Sequence, residues 1–418
     1  LNLISLPKGH LIKISLSLFI TLTCALFVEA QEKNCDSKNY EELVKCALDQ
    51  ALEIQVSEQK LNTTKKLEGM AKQLLNPELQ IENLQKGSEK SETSATLLFD
   101  VRLGGKRAAA LNEAQGEIQK SSAEKDLSVA QFKLDLMLKL YRLTHLNHEL
   151  KIEEETINTF SKIISQFQSK PALTPEQEVS LSIFKIATSE HQLNLVRIKN
   201  ESQKLAQDIS SSTNLPKDLI LKNLPQHKLN WPEVAEDTQS ENSPHVRFAT
   251  GDLQIARALK ERSDAEVWPD LKIGPSFKVQ KDGSAGTENF VGLSLSMPLA
   301  VLNQNTAGRA YSSQKVVEAQ LNHTLTTRKV SSLREQLIQK YRTTVASLKN
   351  LITDASAEDK HKTVERHFFK GMISSSLVIE AHRQLIEFEE KRNESEREAI
   401  EALGSILIID NKISEAIL

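Results

Sequence analysis

Val291-Gly292-Leu293-Ser294-Leu295-Ser296-Met297-Pro298-Leu299 is the stretch on which the fold turns. Successive side chains of a strand point to opposite sides. Val291, Leu293, Leu295, Met297 and Leu299 therefore share one face, and Phe290, Gly292, Ser294, Ser296 and Pro298 the other. Upstream, Pro269 opens a second alternating run whose apolar members are Leu271, Ile273, Phe277 and Val279. Asp282-Gly283-Ser284-Ala285-Gly286 makes the turn between the two runs. Pro275 demands an edge-like or bulged position, since proline donates no N–H to a ladder. The same plan stands earlier in the chain. After a helix that ends at Asn76-Pro77, Leu79 and Ile81 alternate with polar residues, and a turn-like stretch runs from Gly87 to Ser91. Leu97, Phe99, Val101 and Leu103 then alternate with Thr96, Leu98, Asp100 and Arg102. Alternation over about ten residues fits a tilted strand across a bilayer, and it equally fits a soluble hairpin with one face on a core. A lone hairpin is barely stable in water, so two separated ones need each other or further copies of the chain.

Each hairpin feeds a helix of unusual length. No proline interrupts Lys106 to Gln168, or Gln304 to Phe368, and at about 1.5 Å per residue each span would run roughly 95–100 Å. Leu150, Ile157, Phe160, Ile164 and Phe167 recur at bundle spacing in the first, as do Val330, Leu333, Leu337, Tyr341, Val345 and Leu348 in the second. Breaks follow at Ser169–Pro175 and Lys370–Ser375, and shorter helices return over about 176–212 and 376–412. The strand-opening prolines lie 192 residues apart and the breaks 200 apart, so two internal structural repeats keep register. The predicted organisation begins with a signal peptide over 1–30 and a first helix–hairpin–helix repeat over 31–212. That repeat has strands at about 77–85 and 93–103 and a tip at about 169–175. A proline-dotted linker or equatorial segment over 213–245 leads to a second repeat over 246–418, with strands at about 270–280 and 288–299 and a tip at about 369–375.

Composition agrees with long amphipathic helices better than with a thick core: 39% hydrophobic, 5% aromatic and 26% charged. A net charge of −3 leaves no nucleic-acid footprint. Lys8, His10 and Lys13 precede an apolar run from Ile14 to Phe27, and Val28-Glu29-Ala30 supplies the small residues of a cleavage site. Cys24 follows Thr23, a poor context for lipidation. No later stretch approaches a transmembrane helix, so a membrane crossing would have to be a closed barrel. Cys35 and Cys46 have two readings: a disulfide closing a short loop in an oxidising compartment, or two thiols, Cys46 being a small apolar residue on a helix.

Asn76-Pro77-Glu78-Leu79, Leu103-Gly104-Gly105-Lys106-Arg107, Trp268-Pro269-Asp270-Leu271, and Leu295 to Leu299 ahead of Gly308-Arg309 together resemble the TolC-like outer-membrane efflux proteins, nearest to the CzcC branch. Gly371-Met372-Ile373-Ser374 with Leu377-Val378 resembles that family's second helical tip. The resemblance implies a mainly α fold with β: a long α-helical coiled-coil barrel plus four transmembrane strands per subunit, joined in a homotrimer as a twelve-stranded β-barrel in outer-membrane lipid. It also implies a passive export conduit, not an enzyme, whose tips dock a periplasmic adaptor (membrane fusion) protein linked to an inner-membrane efflux pump. Pro171, Leu173 and Thr174 of the first tip and Gly371, Met372, Ile373 and Ser374 of the second are the docking candidates. Gly292, Ser294 and Ser296 suit a watery lumen, with Asp100 and Arg102 facing it and Lys278 and Lys281 in the lumen or outer loop. Aromatic girdles are thin, with Phe99, Trp268, Phe277 and Phe290 as candidates.

Catalytic or metal chemistry is not expected, nor any cofactor. His145 and His148 sit three apart on a helix, but no neighbouring acidic or cysteine residue in the sequence completes a ligand set, and exposed helix histidines are the commoner case. His361 and His367 read the same way. Gly104-Gly105-Lys106-Arg107 is a strand-to-helix turn, too short to cradle phosphate. Glu153-Glu154-Glu155 and Glu387, Glu389 and Glu390 read as solvated helix faces. A periplasmic adaptor, or a coiled-coil envelope protein without a channel, are the alternatives; an adaptor would carry one helical hairpin between all-β segments, and here there are two. The cargo is not legible.

Overall fold

The computed structural model describes residues 35, 37–86, 90–228, 230–236, 240–282, 286–351 and 354–416. The predicted leader over 1–30, Cys24, and the centres of both hairpin turns lie outside the described residues. The chain begins with α1 (Tyr40–Gln50) and α2 (Leu52–Lys72), followed by the hairpin β1 (Glu78–Lys86) and β2 (Lys90–Val101). Next come α3 (Lys106–Gln168), α4 (Pro175–Thr213) and the short α5 (Lys217–Lys222). A second series follows: α6 (Pro244–Ala265), β3 (Leu271–Asp282), β4 (Gly286–Ser296), α7 (Thr306–Lys349), α8 (Asp354–Phe369) and α9 (Ser375–Ile409).

The four strands form one antiparallel sheet in the order β1-β2-β3-β4. One register runs across all of them: Leu79 pairs with Leu97, Ile81 with Ala95, Ala95 with Phe277, and Phe277 with Val291. Pro275 departs from expectation. It lies in an interior strand, opposite Leu293, with no change of register on either side of it. The β2–β3 pairing lapses at Leu97 and Leu98, where the missing proline N–H would have bonded. Gly274 is what allows the two backbones to meet there, because a Cβ would collide with the Leu97 carbonyl oxygen.

Element ends follow local chemistry. The helix expected to reach Asn76 stops at Lys72: Gln73 already has extended backbone (φ −64°, ψ 138°), and Pro77 keeps Asn76 extended too. The strand expected to reach Leu103 stops at Val101, because Gly104 and Gly105 take positive φ (70° and 84°) and turn the chain into α3. A Cβ on Gly104 would strike the Trp268 side chain and the Ala265 carbonyl, so this turn locks onto the junction between α6 and β3. The strand expected to reach Leu299 stops at Ser296, two residues before Pro298. The second long helix is not continuous. α7 closes at Lys349, where the Asn350 N–H bonds back to Leu348 and Ser347 in a tightened last turn, and α8 starts at Asp354. Asn, Thr and Asp in this stretch favour caps and turns over helix interiors.

Apolar packing is concentrated in the helices. Leu140, Leu143 and Met137 of α3 meet Leu43 and Val44 of α1, Ile209 of α4, Tyr341 of α7 and Ile400, Leu403 and Ile406 of α9. A separate cluster lies towards the helix tips, with Phe160 and Ile163 of α3, Phe184 of α4 and Val378 of α9. The segment 223–236 lies along this body and is pinned to it. Tyr341 donates to the Pro232 carbonyl (2.8 Å), Thr144 to that of Pro225 (2.8 Å), and Arg334 to those of Ala235 (2.8 Å) and Glu236 (2.9 Å). Among the described residues no helix layer covers either face of the sheet.

Candidate functional site

Because one register spans the sheet, each side-chain row keeps to one face from β1 to β4. On one face, successive apolar rows are Val101 and Leu271; Phe99, Ile273 and Leu295; Leu79, Leu97, Pro275 and Leu293; and Ile81, Ala95, Phe277 and Val291, followed towards the turns by Asn83, Thr93, Val279 and Asn289 and then Gln85, Ser91, Lys281 and Thr287. The opposite face carries Asp100, Lys272 and Ser296; Glu78, Leu98, Gly274 and Ser294; Gln80, Thr96, Ser276 and Gly292; then Glu82, Ser94, Lys278 and Phe290. Among the described residues the sheet's ion pairs lie on this second face: Lys272–Glu78 (2.5 Å), Lys278–Glu92 (2.6 Å) and Lys90–Asp282 (3.0 Å). The apolar face is left open, with Leu293 at 72% and Val291 at 82% of full exposure. Burying such side chains is worth about 1.5–3 kcal/mol each, so leaving a whole row in water would be costly. β1 and β4 each keep one unpaired edge.

At the far end of the helices the two turns come together. Gln166, Phe167, Lys170, Thr174, Phe369 and Gly371 are among the residues lining a shared cleft of about 350 Å³. The first turn is closed by a capping box, in which the Thr174 side chain accepts from the Gln177 N–H and Gln177 answers the Thr174 N–H, with Pro175 as the first helical residue. The second ends α8 in a Schellman motif: Gly371 has φ +72°, its N–H bonds to the Phe368 carbonyl (2.8 Å) and that of Met372 to His367 (3.0 Å). Thr174, Gly371, Ile373 and Ser374 line the cleft; Pro171 and Met372 are exposed beside it, and Leu173 is half-buried.

Inside the helical body lies a polar cluster. His145 on α3 is 1% exposed and Glu396 on α9 is 3% exposed. Glu396 Oε2 faces His145 Nε2 (3.2 Å) and His227 Nδ1 (2.8 Å), and its Oε1 accepts the Lys228 N–H (2.6 Å). Burial works to raise the Glu396 carboxyl, but these hydrogen bonds outweigh it and hold it at about 2. Burial pushes His145 below its ordinary value, with Glu396 pulling against that shift. Nearby, Arg142 bridges Glu149 (2.8 Å) and Glu201 (2.8 Å), and Asn393 donates to Glu149 (3.1 Å).

No protein-family model and no curated protein matches the sequence. Solved structures do. The chain is similar to the CmeC outer membrane channel of Campylobacter jejuni, at TM-score 0.68 and 12% identity over 90% of this chain and 86% of that one. The outer-membrane channel OprN gives TM-score 0.71 and 13% identity over 90% and 91%. The open-state MtrE outer membrane channel of Neisseria gonorrhoeae gives 0.67 and 12% over 89% of each chain. The fold is that of the TolC-like outer-membrane channels.

Several sequence expectations shift on this TolC-like frame. Phe290 shares the polar face with Lys278, so it leaves the girdle set, whereas Phe99 and Phe277 lie on the apolar face. Lys281 has apolar-face parity but sits one row from the hairpin turn. His145 is not an exposed helix histidine, and an acidic partner, Glu396, stands beside it. Glu153 and Glu389 are not solvated: Glu153 is buried and accepts from His191 Nδ1 (2.7 Å), and Glu389 is buried 3.7 Å from His148. His227 and Glu396 escaped the sequence reading because they lie 82 and 251 residues from His145. The legible hint was His145 itself, four and eight residues after the apolar Tyr141 and Met137 on α3, although the same buried stripe continues through Glu149 and Glu153.

Proposed function

We propose that this chain is the outer-membrane channel subunit of a tripartite efflux system, a passive conduit from periplasm to exterior. The sheet carries the reading. Four strands with a continuous apolar band on one face, giving way to polar rows near the hairpin turns, and a mainly polar opposite face, open at both edges, have the chemistry of a barrel wall between lipid and water. Four strands cannot close, but three copies joined edge to edge make a twelve-stranded barrel able to enclose a channel. No helix among the described residues is long and apolar enough to cross a membrane.

In this reading the chain comprises two repeats, 31–212 and 246–418, joined by the equatorial segment 213–245, with a leader over 1–30 that directs export. The helices extend into the periplasm and line a tunnel with their counterparts. The paired tips, around Thr174 and Gly371, dock a periplasmic adaptor that links to an inner-membrane pump, and the pump supplies energy and selectivity. Cys35 and Cys46, whose Cα atoms lie 6.2 Å apart, pair as a disulfide in that oxidising compartment.

The test is physical. The chain purified in detergent is expected to behave as a trimer by light scattering and to give discrete conductance steps in a planar bilayer. A stable monomer in water without detergent would refute the proposal.

A further inference from the structure

The polar cluster in the helical body has the composition of a metal centre. His145, His227 and Glu396 each present one ligand atom, and the three atoms lie within 4.8 Å of one another. Hydrogen bonds of 3.2 Å and 2.8 Å about Glu396 Oε2 hold the three groups together in this structure, and the shorter of them would open to the ~3.3 Å edge of a tetrahedron built on zinc–nitrogen and zinc–oxygen bonds of about 2.0–2.1 Å. The Lys228 amide occupies Oε1 and so leaves Oε2 turned towards both imidazoles.

A second observation points the same way. His148 Nδ1, Glu149 Oε2, His227 Nε2, Glu389 Oε2 and Asn393 Oδ1 are all buried and lack a hydrogen-bond partner. None of the five is one of the three proposed ligand atoms; they lie on His227 itself and on neighbouring side chains, with His148 Nδ1 and Glu389 Oε2 3.7 Å apart, and unsatisfied buried polar atoms of this kind leave a place for water beside the ion. Three carboxylates, Glu149, Glu389 and Glu396, face the Arg142 and Arg392 guanidinium groups and the Lys228 ammonium group in this neighbourhood. The ligand set, and not surplus negative charge, is therefore what would hold a cation there. Two imidazoles and one carboxylate suit the zinc class of ion, with one position left for water.

We propose that His145, His227 and Glu396 bind one divalent transition-metal ion of the zinc class. The ion staples segment 223–236 to α3 and α9 and so joins three parts of the chain that are remote in sequence. This inference does not rest on the conduit reading, since the site lies in the helical body and not in the sheet.

The full chain in detergent, stripped with chelator, is titrated with Zn²⁺ by calorimetry and with Co²⁺ by visible absorption. One ion per chain is expected, with the ligand-field bands of a four- or five-coordinate cobalt centre and a thermal midpoint that rises with zinc. His227→Ala and Glu396→Gln should each weaken affinity by about tenfold or more and change the cobalt spectrum. His323→Ala, a histidine hydrogen-bonded to Thr250 outside the cluster, should change neither. The wild-type spectrum needs no variant to fold. Absence of cobalt ligand-field bands from the wild-type protein overturns the proposal, as does stoichiometric binding that survives both substitutions unchanged.

Discussion

Leu293 and Ser294 are neighbours on β4 that stand on opposite faces of the sheet, so placing the same charge at each in turn tests the assignment of faces. Leu293 belongs to the row Leu79, Leu97, Pro275 and Leu293, flanked on both sides by further apolar rows. An arginine there would sit well inside the lipid band. At mid-bilayer depth an arginine on the lipid face of a barrel costs about 2–4 kcal/mol, a loss of between one and three decades in insertion equilibrium for each chain. Three copies share one barrel in the proposed assembly, so the cost to the trimer is about 6–12 kcal/mol. Ser294 lies in the row with Glu78, Leu98 and Gly274, between rows holding Lys272 and Ser276, where an arginine remains in water. The assay is the fraction of chain recovered as trimer in outer-membrane fractions, followed by planar-bilayer conductance of what is recovered. Leu293→Arg is expected to be lost from the membrane fraction. Ser294→Arg is expected to insert normally and to shift ion selectivity towards anions. Equal insertion of the two variants, or loss of Ser294→Arg alone, would refute the assignment of lipid and lumen faces.

Arg334 holds Asp410 with two hydrogen bonds (2.7 and 3.0 Å) and also donates to two carbonyls of the 223–236 segment, all in a buried setting. Arg334→Met removes the counter-charge and should cost about 3–5 kcal/mol in denaturant unfolding, with Arg334→Met/Asp410→Leu recovering much of it. The Glu201 carboxyl is held below its ordinary 4.5 chiefly by the hydrogen bond from Arg142. A depressed folded value means its contribution is complete above 4.5 and is lost as pH falls through that lower value; Arg142→Gln should therefore flatten the acid limb of a stability–pH curve followed by circular dichroism. Gly371→Asp places a side chain and a charge on a residue with φ +72° and open space around it. It should abolish cross-linking to the adaptor and leave the trimer intact on a sizing column, and undiminished cross-linking would count against docking at this tip.

How much of this was legible in the sequence depends on the range over which each feature is determined. The faces of β4 are a local property: period-two alternation from Val291 to Met297 assigns them, and a constant register carries the assignment across the sheet. The length of α3 is also local, since nothing between Lys106 and Gln168 breaks a helix. Proline was weighed too heavily as a break and too lightly in context. Pro275 is tolerated in an interior strand because Gly274 lets β2 approach, and α7 ends at Lys349 with no proline present. The histidine cluster fails the same logic from the other side. His145 looks like surface when only its own helix is considered, because a 3.6-residue period says which residues share a face but not what covers that face. Its burial is settled by α9 and by a segment without regular structure, and neither carries a local pattern that points back to residue 145. A buried ionisable residue costs several kcal/mol unless it is satisfied, so the burial of His145 requires a partner from elsewhere in the chain. The sequence can state that need, but only the packing of α3 against α9 identifies Glu396 as the residue that meets it.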